Sequence, residues 1–323
     1  MLTDKTILIT GGTGSFGKKF VKRLLDDFSP KKIIIYSRDE LKQTDMARTL
    51  KDDRMRYFIG DVRDLERLCL ATRNVDYIIH AAALKHVPVA EYNPFEAVKT
   101  NIIGAQNIVL AALQNNVEKV VALSTDKAVS PANLYGATKL SMERLFMAAN
   151  NYSGDGRTTF SLVRYGNVVG SRGSVIPFFR DMVNQGITDL PVTDERMTRF
   201  WITLEAAVDL VLRAIDIGVG GELLIPKIPS MKITDLVKAF GENMTHHVVG
   251  IRPGEKLHEA LISEHESRLT RDLGDIYVIL PEFTSTPIEK YFAYPSIPEG
   301  MVYSSDINDK WLSVDELKAM IVR

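Results

Sequence analysis

A single cysteine, Cys69, leaves the 323-residue chain without an internal disulfide. That excludes a disulfide-stapled secreted scaffold, points to a reducing compartment and makes Cys69 a packed thiol. No run of about 18 apolar residues occurs, so no membrane-spanning helix is expected. Asp4 and Lys5 stand where a secretion signal needs an unbroken apolar stretch, and a cytoplasmic protein without a membrane partner is expected. Neither sign of charge dominates: Lys plus Arg is 40, Asp plus Glu is 41 and the net charge is -1. This balance removes the broad electrostatic case for nucleic-acid binding and leaves only local basic sites. Internal repeats, low-complexity tracts and long charge runs are absent as well.

What is present is ordinary globular composition, 45% hydrophobic and 25% charged, in a chain long enough for about two units. Short β-branched runs recur at Thr6–Thr10, Ile33–Ser37, Met55–Ile59, Tyr77–Ala81, Lys119–Leu123 and Thr159–Tyr165. Amphipathic stretches such as Phe16–Asp27 and Phe95–Asn115 lie between them. Alternation of this kind predicts an α/β fold, a doubly wound parallel sheet of Rossmann type with helices on both faces. Asn93, Pro94 and Glu96 have the spacing of a capped helix start, as do Ser313 and Glu316. The alternation fades after about residue 166. The expected division is a dinucleotide-binding domain over 1–166, completed by parts of 199–228, and a smaller substrate-binding lobe over 167–323.

Between the first strand and first helix lies Thr10-Gly11-Gly12-Thr13-Gly14-Ser15-Phe16-Gly17. Glycines at this spacing let the backbone turn tightly and approach a pyrophosphate, whose charge then meets a helix N-terminus. Such a motif alone is weak, but strand, turn, helix and second strand follow in the order dinucleotide binding requires. At the end of the second strand, Ser37-Arg38 stands where an acidic residue would grip the ribose of NAD. Arg38 suits the 2′-phosphate of NADP, so NADP is favoured over NAD. Asp39 and Glu40 follow at once, and a shift of one residue would reverse that preference. Asp61-Val62 after the third strand is placed near the adenine, its plain alternative being a helix cap.

Ser124-Thr125-Asp126-Lys127 follows the fifth strand, and Tyr135 and Lys139 are spaced to share one helix face. A lysine ammonium there favours a phenolate. Asp126 and Lys127 read equally as catalytic groups or as a solvated ion pair of little energetic weight. His80 and His86 lack partners at a ligand spacing, and the adjacent His246 and His247 point apart, so no metal is assigned.

Gly11 to Gly17, Asp61-Val62, His80-Ala81-Ala82-Ala83, Asn101, Tyr135 and Lys139 together resemble the extended short-chain dehydrogenase/reductases. The segments HAAALKHVPVAEYNP, LSTDKAV, LYGATK, VRYGNVVGSRGSV, MTRFWIT and IRPGEKLHE narrow the resemblance to the inverting UDP-N-acetylglucosamine 4,6-dehydratases that open pseudaminic acid synthesis. Retaining dehydratases are similar but carry Thr-Asp-Glu at the triplet. The resemblance implies a hydro-lyase that oxidises C4, removes water across C5 and C6, returns hydride to C6 and inverts C5. It implies Tyr135 as the C4 base, Lys127 as the C5 base, Asp126 as the acid, and Thr125 and Lys139 as supports. The cofactor set is Gly11, Thr13, Gly14, Ser15, Phe16, Gly17, Ser37, Arg38, Lys42, Asp61, Val62, Ala81, Ala82, Lys85, Tyr135 and Lys139. The UDP-sugar set is Lys85, Asn167, Arg172, Ser174, Val175, Arg199, Arg252 and Glu255, with Arg252 the first phosphate partner. A single arginine has the plainer reading of a surface charge or salt bridge, which is the safer one for Arg172 and Arg196; Phe200 and Trp201 read as core. A homo-oligomer is the family expectation. The rival readings are a nucleotide-sugar 4-epimerase, which needs no acid/base pair at C5 and C6, a retaining dehydratase, and a non-catalytic NADP sensor.

Overall fold

A computed structural model describes residues 2–154, 157–171, 173–283 and 288–322. Its centre is a nine-stranded sheet. Strands β1 (Thr6–Thr10), β2 (Lys32–Ser37), β3 (Met55–Ile59), β4 (Tyr77–His80), β5 (Lys119–Leu123) and β6 (Thr159–Val163) stand in the spatial order β3-β2-β1-β4-β5-β6 and run parallel. The β1 side chains are buried throughout, as a strand covered by helices on both faces requires. The chain reverses direction across the sheet between β1 and β4, and the crevice beyond the carboxyl ends of those strands is where such sheets bind ligands.

Beyond β6 the sheet extends further than the sequence suggests. Leu223–Pro226 joins β6 in parallel, and Ile276–Ile279 and Thr270–Asp272 then close the edge antiparallel. These runs are three or four residues long, too short for periodicity to separate a sheet strand from a buried loop segment.

Two helix expectations change. Phe95–Asn115 is not one regular helix: Pro94–Val98 leads into a π-helical turn, Lys99–Ile103, and then Gly104–Gln114. Asn93 does hold the N-cap position of that helix but makes no capping bond, because its amide donates to Val89 O of the preceding helix (3.0 Å). Glu96 is drawn instead to Arg63 and Lys99. The Ser313–Glu316 box does form, with reciprocal bonds of 2.8 and 3.3 Å.

The later residues build short sheets, among them Asn167–Val168 with Thr198–Ile202 and Ser230–Lys232, and Ala260–Ile262 with Tyr303–Ser304. A second apolar cluster centred on Phe179, Trp201, Met231 and Leu236 packs this part, while Phe200 joins the main core. Among the described residues no helix is long and apolar enough to cross a membrane.

Candidate active site

The glycine turn joins β1 to the helix α1 (Ser15–Asp27). Gly11 adopts φ +64°, and a Cβ there would lie 3.0 Å from the backbone of Ala81 and Ala82. A Cβ on Gly17 would lie 2.4 Å from Gly12 Cα, so only glycine lets α1 approach the turn this closely. Gly14 is the N-cap, no side chain caps the first turn, and no acid lies in it. The free donors and positive end of α1 therefore face the crevice, which suits a pyrophosphate.

Ser37 Oγ lies 3.2 Å from Thr13 Oγ1, closing one wall of this cradle. Arg38 is 60% exposed at its rim and reaches Asp61 at 3.5 Å, while Lys42 pairs with Asp39, the N-cap of the next helix. Asp61 also accepts from Arg63 at 2.6 Å, and these cations hold its carboxyl below the ordinary range despite burial. Asn107 fixes Val62 through its carbonyl. The opposite wall is Ala81 and Ala82, whose N–H groups both donate to Thr10 Oγ1 (3.2 Å). With its lone pairs so occupied, Thr10 donates to His80 Nδ1 (2.9 Å). His80 is thus a neutral core residue stacked on Phe146, its pKa pushed down to about 3 by burial and then by Lys139.

The chemical groups cluster past β5. Thr125 Oγ1 donates to Asp126 Oδ1 (2.8 Å) and lies beside the Tyr135 phenol. Asp126 is fully buried. Lys127 Nζ spans both its carboxylate oxygens, at 2.8 and 3.0 Å, and donates to Asn167 Oδ1 at 2.8 Å. This is a shielded, geometrically fixed pair rather than the solvated one that the residues alone left open. Tyr135 enters from the Leu134–Ala149 helix, whose N-cap Asn133 accepts from Gly136 N. A Cβ on Gly136 would lie 2.1 Å from the Lys127 carbonyl oxygen, so that glycine lets the helix start press against the Asp126-Lys127 loop. Burial and the Asp126 charge push the Tyr135 phenol up, opposed by the Thr125 hydroxyl. Lys139 is buried, donates to Leu123 O (2.6 Å), and is lowered to about 8 by desolvation, against the pull of Glu143. The π-helical turn presents Asn101, which grips both backbone groups of Leu84 and donates to Thr138 Oγ1. It thereby ties the loop carrying Lys85 to the helix carrying Tyr135.

The residues assigned to a nucleotide sugar divide. Asn167 faces the chemistry, as the Lys127 partner. Arg199 places its donors on the carbonyls of Thr198, Leu257 and Lys256, so it braces the following loop. Arg252 is 63% exposed, 3.9 Å from Glu255; its loop docks over the catalytic helix start through Asn133 Nδ2 to Gly254 O (2.8 Å). Ser174 and Val175 open the Val175–Asn184 helix, and the buried Ser174 hydroxyl has no hydrogen-bond partner among the described residues. Arg172 lies outside the described residues. Arg196 pairs with Asp194 at the surface.

Three residues of this site went unassigned in the sequence. Tyr165 is buried against Tyr135, Lys256 donates to Val129 O at 2.6 Å, and Glu259 lies 3.8 Å from Lys127 Nζ. All three stood inside the quoted segments VRYGNVVGSRGSV and IRPGEKLHE, but no spacing tied them to Lys127.

Residues 7–281 match the family model described as polysaccharide biosynthesis protein. A Campylobacter jejuni protein named UDP-N-acetylglucosamine 4,6-dehydratase (inverting) is 56% identical over 99% of this chain and 98% of its own length. A Rickettsia akari protein named UDP-glucose 4-epimerase is 42% identical over 100% of the chain and 96% of its own. Among solved structures, Pen from Bacillus thuringiensis superposes with a TM-score of 0.91 at 40% identity, covering 100% of this chain and 98% of that one.

Proposed function

Because the chain belongs to the polysaccharide biosynthesis protein family, within the extended short-chain dehydrogenase/reductases, we propose that it dehydrates UDP-N-acetylglucosamine to the 4-keto-6-deoxy sugar with inversion at C5. The observation that carries this is the buried Asp126–Lys127 contact beside Tyr135.

When bound, a nicotinamide dinucleotide supplies the hydride acceptor for C4 and returns the hydride to C6. Tyr135 takes the 4-hydroxyl proton as phenolate, a form that the Lys139 charge favours against the burial and the Asp126 charge that oppose it. Ketone formation acidifies the C5 proton. Lys127 must be neutral to remove it, and Asp126 must be protonated to help the 6-hydroxyl leave. One proton passed along the 2.8 Å contact from Nζ to the carboxylate makes amine and acid together. The C5–H proton then goes to Nζ, the C6–O bond breaks, and the hydroxyl leaves as water with the Asp126 proton. Lys127 and Asp126 are thereby returned to the ammonium–carboxylate pair. Solvent supplies the C5 proton on the other face, which sets the inverted configuration, and Tyr135 gives up the 4-hydroxyl proton to solvent, which closes the cycle.

NADP is the proposed cofactor, supported by Arg38 at the cradle rim. Entry into pseudaminic acid synthesis, for surface glycans or flagellin, and homo-oligomeric assembly are carried over from the resemblance. The second reading, a 4-epimerase, is favoured by the name of the Rickettsia akari relative. It leaves Asp126 and Lys127 without a task.

Incubation with UDP-N-acetylglucosamine and NADP in deuterated water, followed by NMR, tests the choice. The dehydratase yields a methyl group at C6, deuterium at C5 and an inverted ring; recovery of the 4-epimer alone overturns it.

A further inference from the structure

A buried titratable group stands next to the acid/base pair with no part in the chemistry so far. Glu259 is 4% exposed. Its Oε1 lies 3.8 Å from Lys127 Nζ and its Oε2 lies 3.7 Å from Lys256 Nζ. Oε2 makes no hydrogen bond among the described residues, so the carboxyl faces its two lysines as a charge and not as a hydrogen-bonded acceptor. The backbone is fixed on both sides: Glu259 N–H donates to Ser305 Oγ at 3.0 Å, and Glu259 C=O accepts from Ser305 N–H at 2.8 Å. The carboxyl is thus held toward Lys127 by a segment distant in sequence.

We propose that Glu259 is a positioning residue of the reaction, whose charge beside Lys127 Nζ steadies the ammonium–carboxylate pair and governs how readily its proton passes to Asp126. This rests on Lys127 acting as the C5 base. The groups facing Glu259 are Lys127, Asp126, Arg199 and Lys256. Burial pushes its carboxyl up and Asp126 adds to the rise, while Lys127, Arg199 and Lys256 oppose it. Three cations around two carboxylates make a local balance that depends on each member. As a carboxylate, Glu259 favours the Lys127 ammonium and acts as a second acceptor when Asp126 takes up its proton. Removing that charge leaves the ammonium less firmly held and the Asp126–Lys127 pair intact to lower pH.

The test is the pH dependence of deuterium wash-in at C5, with UDP-N-acetylglucosamine and NADP, in the wild type, Glu259→Gln and Glu259→Asp. The rate falls on the acid side once Asp126 takes a proton from solvent, because Lys127 can then no longer pass its own along the pair. Glu259→Gln removes a charge 3.8 Å from Lys127 Nζ, so it is expected to displace the acid limb downward, with KM for the sugar little changed. Reduced nicotinamide formed on sugar binding reports that the variant is folded and oxidises C4. Glu259→Asp retracts the carboxyl by one methylene, and its limb moves the same way by less; it carries the test alone if the Gln variant does not fold. An acid limb at the wild-type pH overturns the proposal, since a group that only packs would lower stability without moving it. A wild type that washes no deuterium into C5 at any pH instead defeats the dehydratase reading, an outcome separate from the first.

Discussion

Lys127→Ala separates the two halves of the reaction. Losing a positioned general base costs about 10²–10⁴-fold in the step it serves, roughly 3–5 kcal/mol of barrier. C4 oxidation depends on Tyr135, Thr125 and Lys139, which the substitution leaves in place. The variant should therefore form reduced nicotinamide on sugar binding and then stall, with C5 exchange and water loss falling by that factor. It also breaks a buried pair: Asp126 loses the donor at 2.8 and 3.0 Å and keeps the Thr125 hydroxyl. Stranding one member of such a pair costs about 3–5 kcal/mol in a dry interior. The Lys127 side chain is 21% exposed, so water entering the vacated space brings the loss toward the low end. Single-turnover absorbance follows the nicotinamide, NMR in deuterated water follows C5, and urea unfolding follows stability. Wild-type rates of product release would remove Lys127 from the mechanism. A folded variant that cannot reduce the nicotinamide would place Lys127 in the oxidation step instead.

Two further outcomes are expected. Arg38→Ala should weaken NADP by about 10–100-fold, the worth of a charge-assisted hydrogen bond of about 1.5–3 kcal/mol, and leave NAD within a few-fold; equal losses, measured by titration of both dinucleotides, defeat the 2′-phosphate assignment. His80 has a folded pKa of about 3 against 6.5 for the free side chain, so between those values the unfolded chain binds more protons and stability is lost as pH falls. The loss attributable to His80 should be about 1.4 kcal/mol per pH unit below 6.5, seen as a steeper slope in wild type than in His80→Gln; parallel slopes would mean that the buried imidazole does not resist protonation.

Much of the sheet was legible because parallel strands buried on both faces read as continuous apolar runs, and β1, β3 and β5 have the limits that the residues suggest. The strands Thr270–Asp272, at the edge, and Ile276–Ile279 beside it were not legible, since their partners are fixed by tertiary pairing. The π-helical turn at Lys99–Ile103 leaves no mark in helical periodicity, although Asn101 within it was singled out by the resemblance. In the site, what lay close along the chain could be read: Thr125, Asp126, Lys127, Tyr135 and Lys139 fall within one loop and one helix turn. Arg199 shows the opposite case. Its sequence context suits an anion, but three backbone carbonyls that no spacing reveals take its guanidinium. Glu259 needed the same information, because only folding brings its loop against Lys127.

The same frame can serve an epimerase or a dehydratase, which is why relatives carry both names. Oxidation at C4 asks only for the glycine turn, Tyr135 and their supports, and those parts reach the sugar on one side. Water loss asks for a proton removed at C5 and another delivered to the C6 oxygen, so a dehydratase needs two groups of opposite task within one sugar ring's reach. An ammonium and a carboxylate 2.8 Å apart meet that need only if a proton can cross between them. Water would pin each in its charged form, whereas Asp126 at 0% exposure is shielded from it. In this chain the pair is therefore useful to a dehydratase only because the loops around Asn167 and Lys256–Glu259 close over it. An epimerase with the same two residues in an open loop would hold only a surface ion pair, and opening that loop here, without altering Asp126 or Lys127, should abolish water loss while C4 oxidation continues.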